Sequence, residues 1–228
     1  MNAHSHIVFR ITTVLFALLL GAQCIWLLLA EFAQPGINQL PVDPAASVAS
    51  AKRRADAAQA ASIGIIRGDL WAESAFTYAD LLWGDKDAAP NFSEALKQAH
   101  TSLDRALSDR PDQPGVWLLL AGLALRYTLP NVDGISALKM SYYTGPSQHN
   151  LLPLRLRIAT HLENVNDIEL QQMISRDLRL LVALQQKSAV ARAYDEASPA
   201  GKRLIKQTVD EIGPAALGSF GPGPNKTH

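Results

Sequence analysis

Cysteine is almost absent. The single thiol, Cys24, sits inside an apolar run, so the rest of the chain has no intramolecular disulfide and no thiol nucleophile. An excess of one charge is also missing, because 21 Lys and Arg balance 21 Asp and Glu. Such a balance offers no strong field to nucleic acid or anionic lipid. No Cys/His cluster has zinc spacing, no Walker loop is present, and no Gly-x-Ser-x-Gly elbow occurs. No cofactor or metal is therefore expected. Strand signals are scarce too: alternation is rare and β-branched residues are sparse. An all-α chain remains, long enough to bury a core without covalent staples.

What is present begins with one long apolar segment. Ile11 to Ala30 reads ITTVLFALLLGAQCIWLLLA and carries no charge. A bilayer core needs roughly 20 apolar helical residues. A cleaved signal has a shorter apolar region, about 7–15 residues, and a small-x-small cleavage site. Here Leu28 and Ala30 make a poor pair, with Glu31 just beyond. Lipidation would need a small residue before Cys24, where Gln23 stands. A buried core helix would keep a polar stripe, and this run has only Thr12, Thr13 and Gln23. The reading is a retained anchor over residues 11–32, in contact with the lipid bilayer, with a cleaved signal as the competing reading.

Flanking charge gives the orientation. Arg10 precedes the run, while only acids, Glu31 and Asp43, follow closely. Residues 1–10 are thus expected in the cytoplasm and the bulk outside. In a Gram-negative cell this is a single-pass inner-membrane protein facing the periplasm. Trp26 and Phe32 suit the outer interface.

After the anchor, about 195 residues suit one domain. Residues 33–43, rich in Pro, Gly and Asn, read as a linker. Asp43 and Pro44 fit the cap and first position of an Ala-rich helix to about Ile66, broken by Gly68. Asp69 fits the cap of a helix to about Trp83, with Leu70, Trp71, Ala75, Tyr78, Leu81 and Leu82 on one face. Further helices are expected over Asn91–Ser108, Val116–Tyr127 (stopped by Pro130), Asn131–Tyr143 (stopped by Gly145-Pro146) and from Asn150 onward. Asn166–Gln186 is strongly amphipathic, with Ile168, Met173, Ile174, Leu178 and Leu181 in one sector. Ser188–Glu196 and Pro199–Ile212 close a helical domain over residues 44–212. The tail over 213–228 reads as disordered.

Small and large apolar residues recur in a repeat-like pattern. Ala99, Leu103, Ala106 and Pro111 have the spacing of a second helix and its closing proline. Trp117, Leu120, Ala121 and Ala124 then match the next unit's first helix, in register. Trp71, Ala75 and Tyr78 echo that first-helix pattern upstream. Ala137-Leu138 resembles a second helix about three residues out of phase. Over roughly residues 68–163 the chain resembles tetratricopeptide repeats, helix-turn-helix units of about 34 residues. The resemblance implies a helical-hairpin solenoid. The alternative for the two tryptophans is plain core packing in an irregular bundle.

Ser136 to Ala159 reads SALKMSYYTGPSQHNLLPLRLRIA. It resembles a segment of membrane-anchored repeat proteins from bacterial exopolysaccharide systems, in which a repeat helix ends in a Gly-Pro turn before a Leu/Arg-rich helix. Gly145-Pro146 and Arg155/Arg157 hold those places. The resemblance implies a helper in polysaccharide synthesis or export rather than a glycosyltransferase.

Arg126, Tyr127, Tyr142, Tyr143, His149, Arg155 and Arg157 are concentrated in one stretch, and Arg and aromatic residues are typical anchors of binding partners. They are candidate groove residues for a peptide, carboxylate or sugar. The alternative is that the tyrosines pack and the arginines are solvated or paired. Arg67-Gly68-Asp69 reads as a helix break rather than an adhesion tripeptide. Glu73, Asp80, Asp85 and Asp87 lack the facing geometry of a glycosidase pair. His161 with Glu163 makes no metal pair, and Asn225-Lys226-Thr227 matches a glycosylation acceptor only in a eukaryotic secretory setting. The expected function is a non-catalytic, membrane-anchored scaffold binding an envelope protein, in the first instance exopolysaccharide assembly machinery. Cytochrome c maturation, pilus assembly and cell division use similar proteins, and a glycan-acting envelope enzyme is the alternative from another class.

Overall fold

The apolar run forms one unbroken helix, α1 (Ala3–Ala33). Within it Val8–Phe32 is long and apolar enough to cross a membrane, and almost none of it is covered by protein. The two threonines cost little there, because Thr12 and Thr13 donate their hydroxyls to Val8 O at 2.9 Å and Phe9 O at 2.8 Å. The computed structural model describes residues 3–33, 36–37, 39–42, 49–84, 91–163 and 166–213. All regular structure among them is helical, with no strand.

The proposed cap at Asp43-Pro44 falls outside the described residues. The next helix among the described residues, α2, is Ala51–Ile63, capped by Ser50, whose hydroxyl accepts from Arg53 N at 3.2 Å. It ends at Gly64, so the break lies there and not at Gly68. Gly68 instead opens α3 (Gly68–Phe76) and is needed for close approach. A Cβ there would sit 2.9 Å from side-chain carbons of both Asp109 and Arg110. Asp69 does not cap α3. It lies inside the first turn and pairs with Arg67 at 2.5 Å.

The helix expected to reach Trp83 stops early. Thr77 returns its hydroxyl to Ser74 O at 2.6 Å and its N–H to both Glu73 O and Ser74 O. That local competition tightens the chain into a 3₁₀ turn, Ala79–Leu82. Then come α4 (Phe92–Asp109), α5 (Pro114–Tyr127) and α6 (Gly134–Thr144). Asp133 caps α6 through Ile135 N at 3.1 Å and Ser136 N at 3.2 Å. A 3₁₀ turn, His149–Leu151, leads into α7 (Leu152–Thr160), so Asn150 precedes the helix without capping it. Three helices remain: α8 (Ile168–Ala183), capped by Asp167, α9 (Lys187–Glu196) and α10 (Pro199–Ile212), capped by Ser198.

Sequential helices pack on each other: α3 with α4, α5 with α6, α7 with α8 and α9. The centre is α5, where Val116, Leu118, Leu119, Ala121 and Leu123 are fully buried. The expected face of α4 is buried at Ala99, Leu103 and Ala106. Trp71 and Trp117 are half-buried and occupy the same place, fourth in α3 and fourth in α5. Each indole N–H reaches the carbonyl six residues upstream, Trp71 to Ile65 O at 3.2 Å and Trp117 to Pro111 O at 2.7 Å.

One expectation fails on burial. Ile168, placed in the apolar sector of its helix, is exposed at the first turn of α8, whereas Ile174, Leu178 and Leu181 are fully buried. The described residues of the expected linker, 36–37 and 39–42, pack against the domain. Leu40 is buried in the main core, Ile37 N–H donates to the Glu73 carboxylate, and Asn150 donates to Gln39 Oε1 at 3.3 Å. This segment also walls a cavity of about 360 Å³ with residues of α3 and α5. The expected tail, apart from Gly213, lies outside the described residues.

Candidate functional site

A cleft of about 750 Å³ opens between the Ala79–Leu82 turn, α5, α7 and the end of α9. Its apolar lining comes from Leu82, Leu125, Ile158 and Leu162, and Arg126, His161 and Glu163 add polar groups to its wall. Gly122 of α5 also lines it. A Cβ at that position would lie 2.5 Å from Leu82, so the turn approaches α5 closely there.

Two residues pin the turn to α5. Arg126 donates to Leu82 O at 3.0 Å and to Gly84 O at 2.9 Å, and Tyr127 donates its hydroxyl to Leu81 O at 2.5 Å. The two side chains thus supply hydrogen-bond donors to carbonyls at the end of the 3₁₀ turn. Phe92 packs edge-on to Tyr127 at 4.9 Å between ring centroids.

On the other side, Arg157 is almost buried. It grips Glu196 through Nε at 2.9 Å and Nη2 at 2.6 and 2.8 Å, a two-pronged charged pair. Its guanidinium lies 3.6 Å from the Trp83 ring centroid. A planar cation pressed on an aromatic face and paired at its edge is a rigid unit. It fixes α7, α9 and the 3₁₀ turn around one cleft.

The candidate residues therefore part company. Arg126 and Arg157 line the cleft, with Tyr127 beside it. Arg155 and Tyr142 are buried and do not line this cleft. Arg155 donates Nε to Ser141 Oγ at 3.1 Å and Nη2 to Gly145 O at 2.9 Å, closes on Ser141 O, and lies 4.9 Å from the Tyr142 ring. It ties the end of α6 and the Gly145-Pro146 turn to α7. Asp177, fully buried on α8, faces this pair, and its burial raises its carboxyl pKa to about 6 against the pull of Arg155 and Arg176. The same burial pushes the Tyr142 phenol well up.

Tyr143 and His149 lie elsewhere. Tyr143 is exposed and donates to Glu169 Oε1 at 2.6 Å, which raises its phenol pKa. Lys139 joins this cluster, bridging Asp167 at 3.0 Å and Glu169, and holds both carboxylates below their usual range. His149 is exposed in its 3₁₀ turn.

Sequence reasoning missed Trp83, Glu196 and Asp177. Glu196 is 39 residues from its partner Arg157, beyond any local pattern. A lone aromatic before Gly84 was the only mark of Trp83. Of the acids weighed as catalytic, Glu73 is buried under Ile37 and Asp80 pairs with Arg54 at 2.5 Å, while Asp85 and Asp87 lie outside the described residues. Among the described residues no group of three His, Cys, Asp or Glu side chains could hold a metal. Comparison with family models, curated proteins and solved structures gives no match to this chain.

Proposed function

We propose that this protein is a membrane-anchored helical scaffold that grips a segment of another envelope protein in the cleft between α5, α7 and α9. One observation carries the reading: an open cleft of about 750 Å³ pairs an apolar lining with fixed cations and acids. An apolar side chain of a partner fits the Leu125–Ile158 side, and its backbone or carboxylate meets Arg126 and His161. The rigid Trp83–Arg157–Glu196 unit preorganises the cleft, which reduces the ordering cost of binding.

The matched indole bonds of Trp71 and Trp117 support tetratricopeptide-like hairpins as the scaffold. Val8–Phe32 supports a bilayer-spanning helix, and Arg10 before it with Glu31 after it supports a cytoplasmic N-terminus and a periplasmic domain. The partner within exopolysaccharide assembly rests on the resemblance of Ser136–Ala159. Tethering confines the partner search to the membrane and raises effective concentration.

The test is a photo-cross-linking residue in place of Leu162, compared with one in place of Tyr143, in the full chain in living cells. Capture of polysaccharide polymerase or export components from position 162 alone supports the reading. Capture of haem-maturation, pilus or division proteins from that position keeps the cleft and moves the pathway. Capture from position 143 and not 162 removes the cleft from the interaction.

A further inference from the structure

Among the described residues the domain packs on the end of α1 through the α2–α3 hairpin, whose tip carries two bare isoleucines. Helices α2 and α3 form a hairpin. Its open end faces the domain, where Arg54 of α2 reaches Thr77 O at 3.3 Å and Asp80 at 2.5 Å beyond the end of α3. Its tip, Gly64 to Arg67, sits against the end of α1. Ala30, 1% exposed, packs with Ala60, Ala61 and Leu70, and Arg67 pairs with Glu31 at 3.1 Å. Toward the N-terminus α1 is uncovered, with Leu20, Ile25, Leu28 and Leu29 all exposed. Glu31 is the first charge after Arg10, so the ion pair marks the level at which the apolar stretch ends.

At that level Ile65 is 65% exposed and Ile66 74% exposed, and Phe32 on α1 is 87% exposed. A turn facing water favours Gly, Asn, Asp, Ser or Pro. Two adjacent isoleucines at a hairpin tip need another solvent. The tip is also held firm. Arg67 N–H closes on Gly64 O at 2.5 Å, and the Trp71 indole fixes Ile65 O. Trp71 stands beside them, a residue type suited to the interface between hydrocarbon and headgroups.

We infer that the tip of the α2–α3 hairpin enters the outer leaflet beside α1, with Ile65 and Ile66 in the lipid and Arg67 paired to Glu31 at headgroup level. The occupant of this surface is the lipid bilayer, argued from its continuity with the bare apolar helix. The inference rests on the reading that Val8–Phe32 spans the membrane. It adds a second membrane contact, made by the domain itself.

The experiment is spin-label accessibility in the full chain, reconstituted into phosphatidylethanolamine–phosphatidylglycerol bilayers. Cys24, the only cysteine, is replaced by Ser, and single cysteines are placed at Ile65, Ile66, Ile25 and Leu184 in turn. Leu184 is an exposed apolar residue at the end of α8. The expected result is a severalfold higher ratio of oxygen to water-soluble nickel-chelate accessibility at positions 65 and 66 than at 184, with position 25 higher still. Labels at 65 and 66 that match 184 while 25 is lipid-exposed overturn the inference and leave the anchor intact. A label at 25 open to the nickel chelate overturns the anchor reading instead. Labels at 65 and 66 shielded from both reagents overturn the lipid assignment in favour of a protein contact.

Discussion

Asp177 provides the sharpest test of the core. It is fully buried on α8, facing Arg155 and the Tyr142 hydroxyl, with Arg176 Nη2 at 3.9 Å. Burial outweighs both cations and lifts its pKa from 3.8 to about 6. A carboxyl with a raised folded pKa binds protons more readily in the folded state than in the unfolded one. Stability therefore rises as pH falls through the folded pKa, and the gain is complete below the unfolded value. Integrating between about pH 7.5 and about pH 5 gives a gain of about 1.4 kcal/mol. The carboxylates held low, Asp69, Asp133, Asp167 and Glu169, act in the opposite direction. Their stabilisation is lost mainly below about pH 4.5, outside this window. The assay is urea unfolding of the full chain in detergent, followed by fluorescence of its four tryptophans. The midpoint should move up on acidification, and Asp177→Asn should abolish most of the movement. A midpoint that stays flat or falls, or an Asn variant with the same rise, refutes the reasoning.

Arg155→Ala should destabilise the domain by about 3–5 kcal/mol, because it strips donors from buried carbonyls and leaves Asp177 without its main counter-charge; urea unfolding at neutral pH reads this. Gly201→Ala should cost about 2 kcal/mol or more, since its Cβ would lie 2.1 Å from Thr160 O where α10 meets α7. Thermal unfolding of that variant beside wild type checks it. Tyr143→Phe should change stability by less than about 0.5 kcal/mol, because its bond to Glu169 is exposed; a larger loss would mean the Lys139–Glu169 cluster is structural.

Local chemistry was legible in the sequence and long-range pairing was not. Helix α10 begins at Pro199 and ends at Ile212 as expected, because Ser198, Pro199 and Gly213 write its limits nearby. The long apolar helix α1 needed only composition. The Leu/Arg-rich helix α7 misled, since arginine reads as surface. Arg155 is buried only because Ser141, Gly145 and Asp177 meet it from elsewhere in the chain. Leu40, in a stretch rich in turn residues, was unreadable as core for the same reason. At the cleft, Arg126 and Arg157 carried a signal through their residue type. Trp83 and Glu196 did not, because a bidentate pair spanning two helices has no periodicity to betray it.

Under the proposed membrane-spanning role of α1, the docking of Leu40 and Ala30 has a mechanical consequence. A loose connection of this length would let the domain swing through a wide arc above the bilayer. With one side chain of that connection buried in the core and the helix end packed beneath α2, the arc closes to a fixed bearing. A partner of the kind proposed above would then meet the cleft at one height and one angle. Lengthening the connection with Gly and Ser while Leu40 stays docked would leave that geometry untouched. Restoring the swing would take unseating both Leu40 and the Ala30 end of α1.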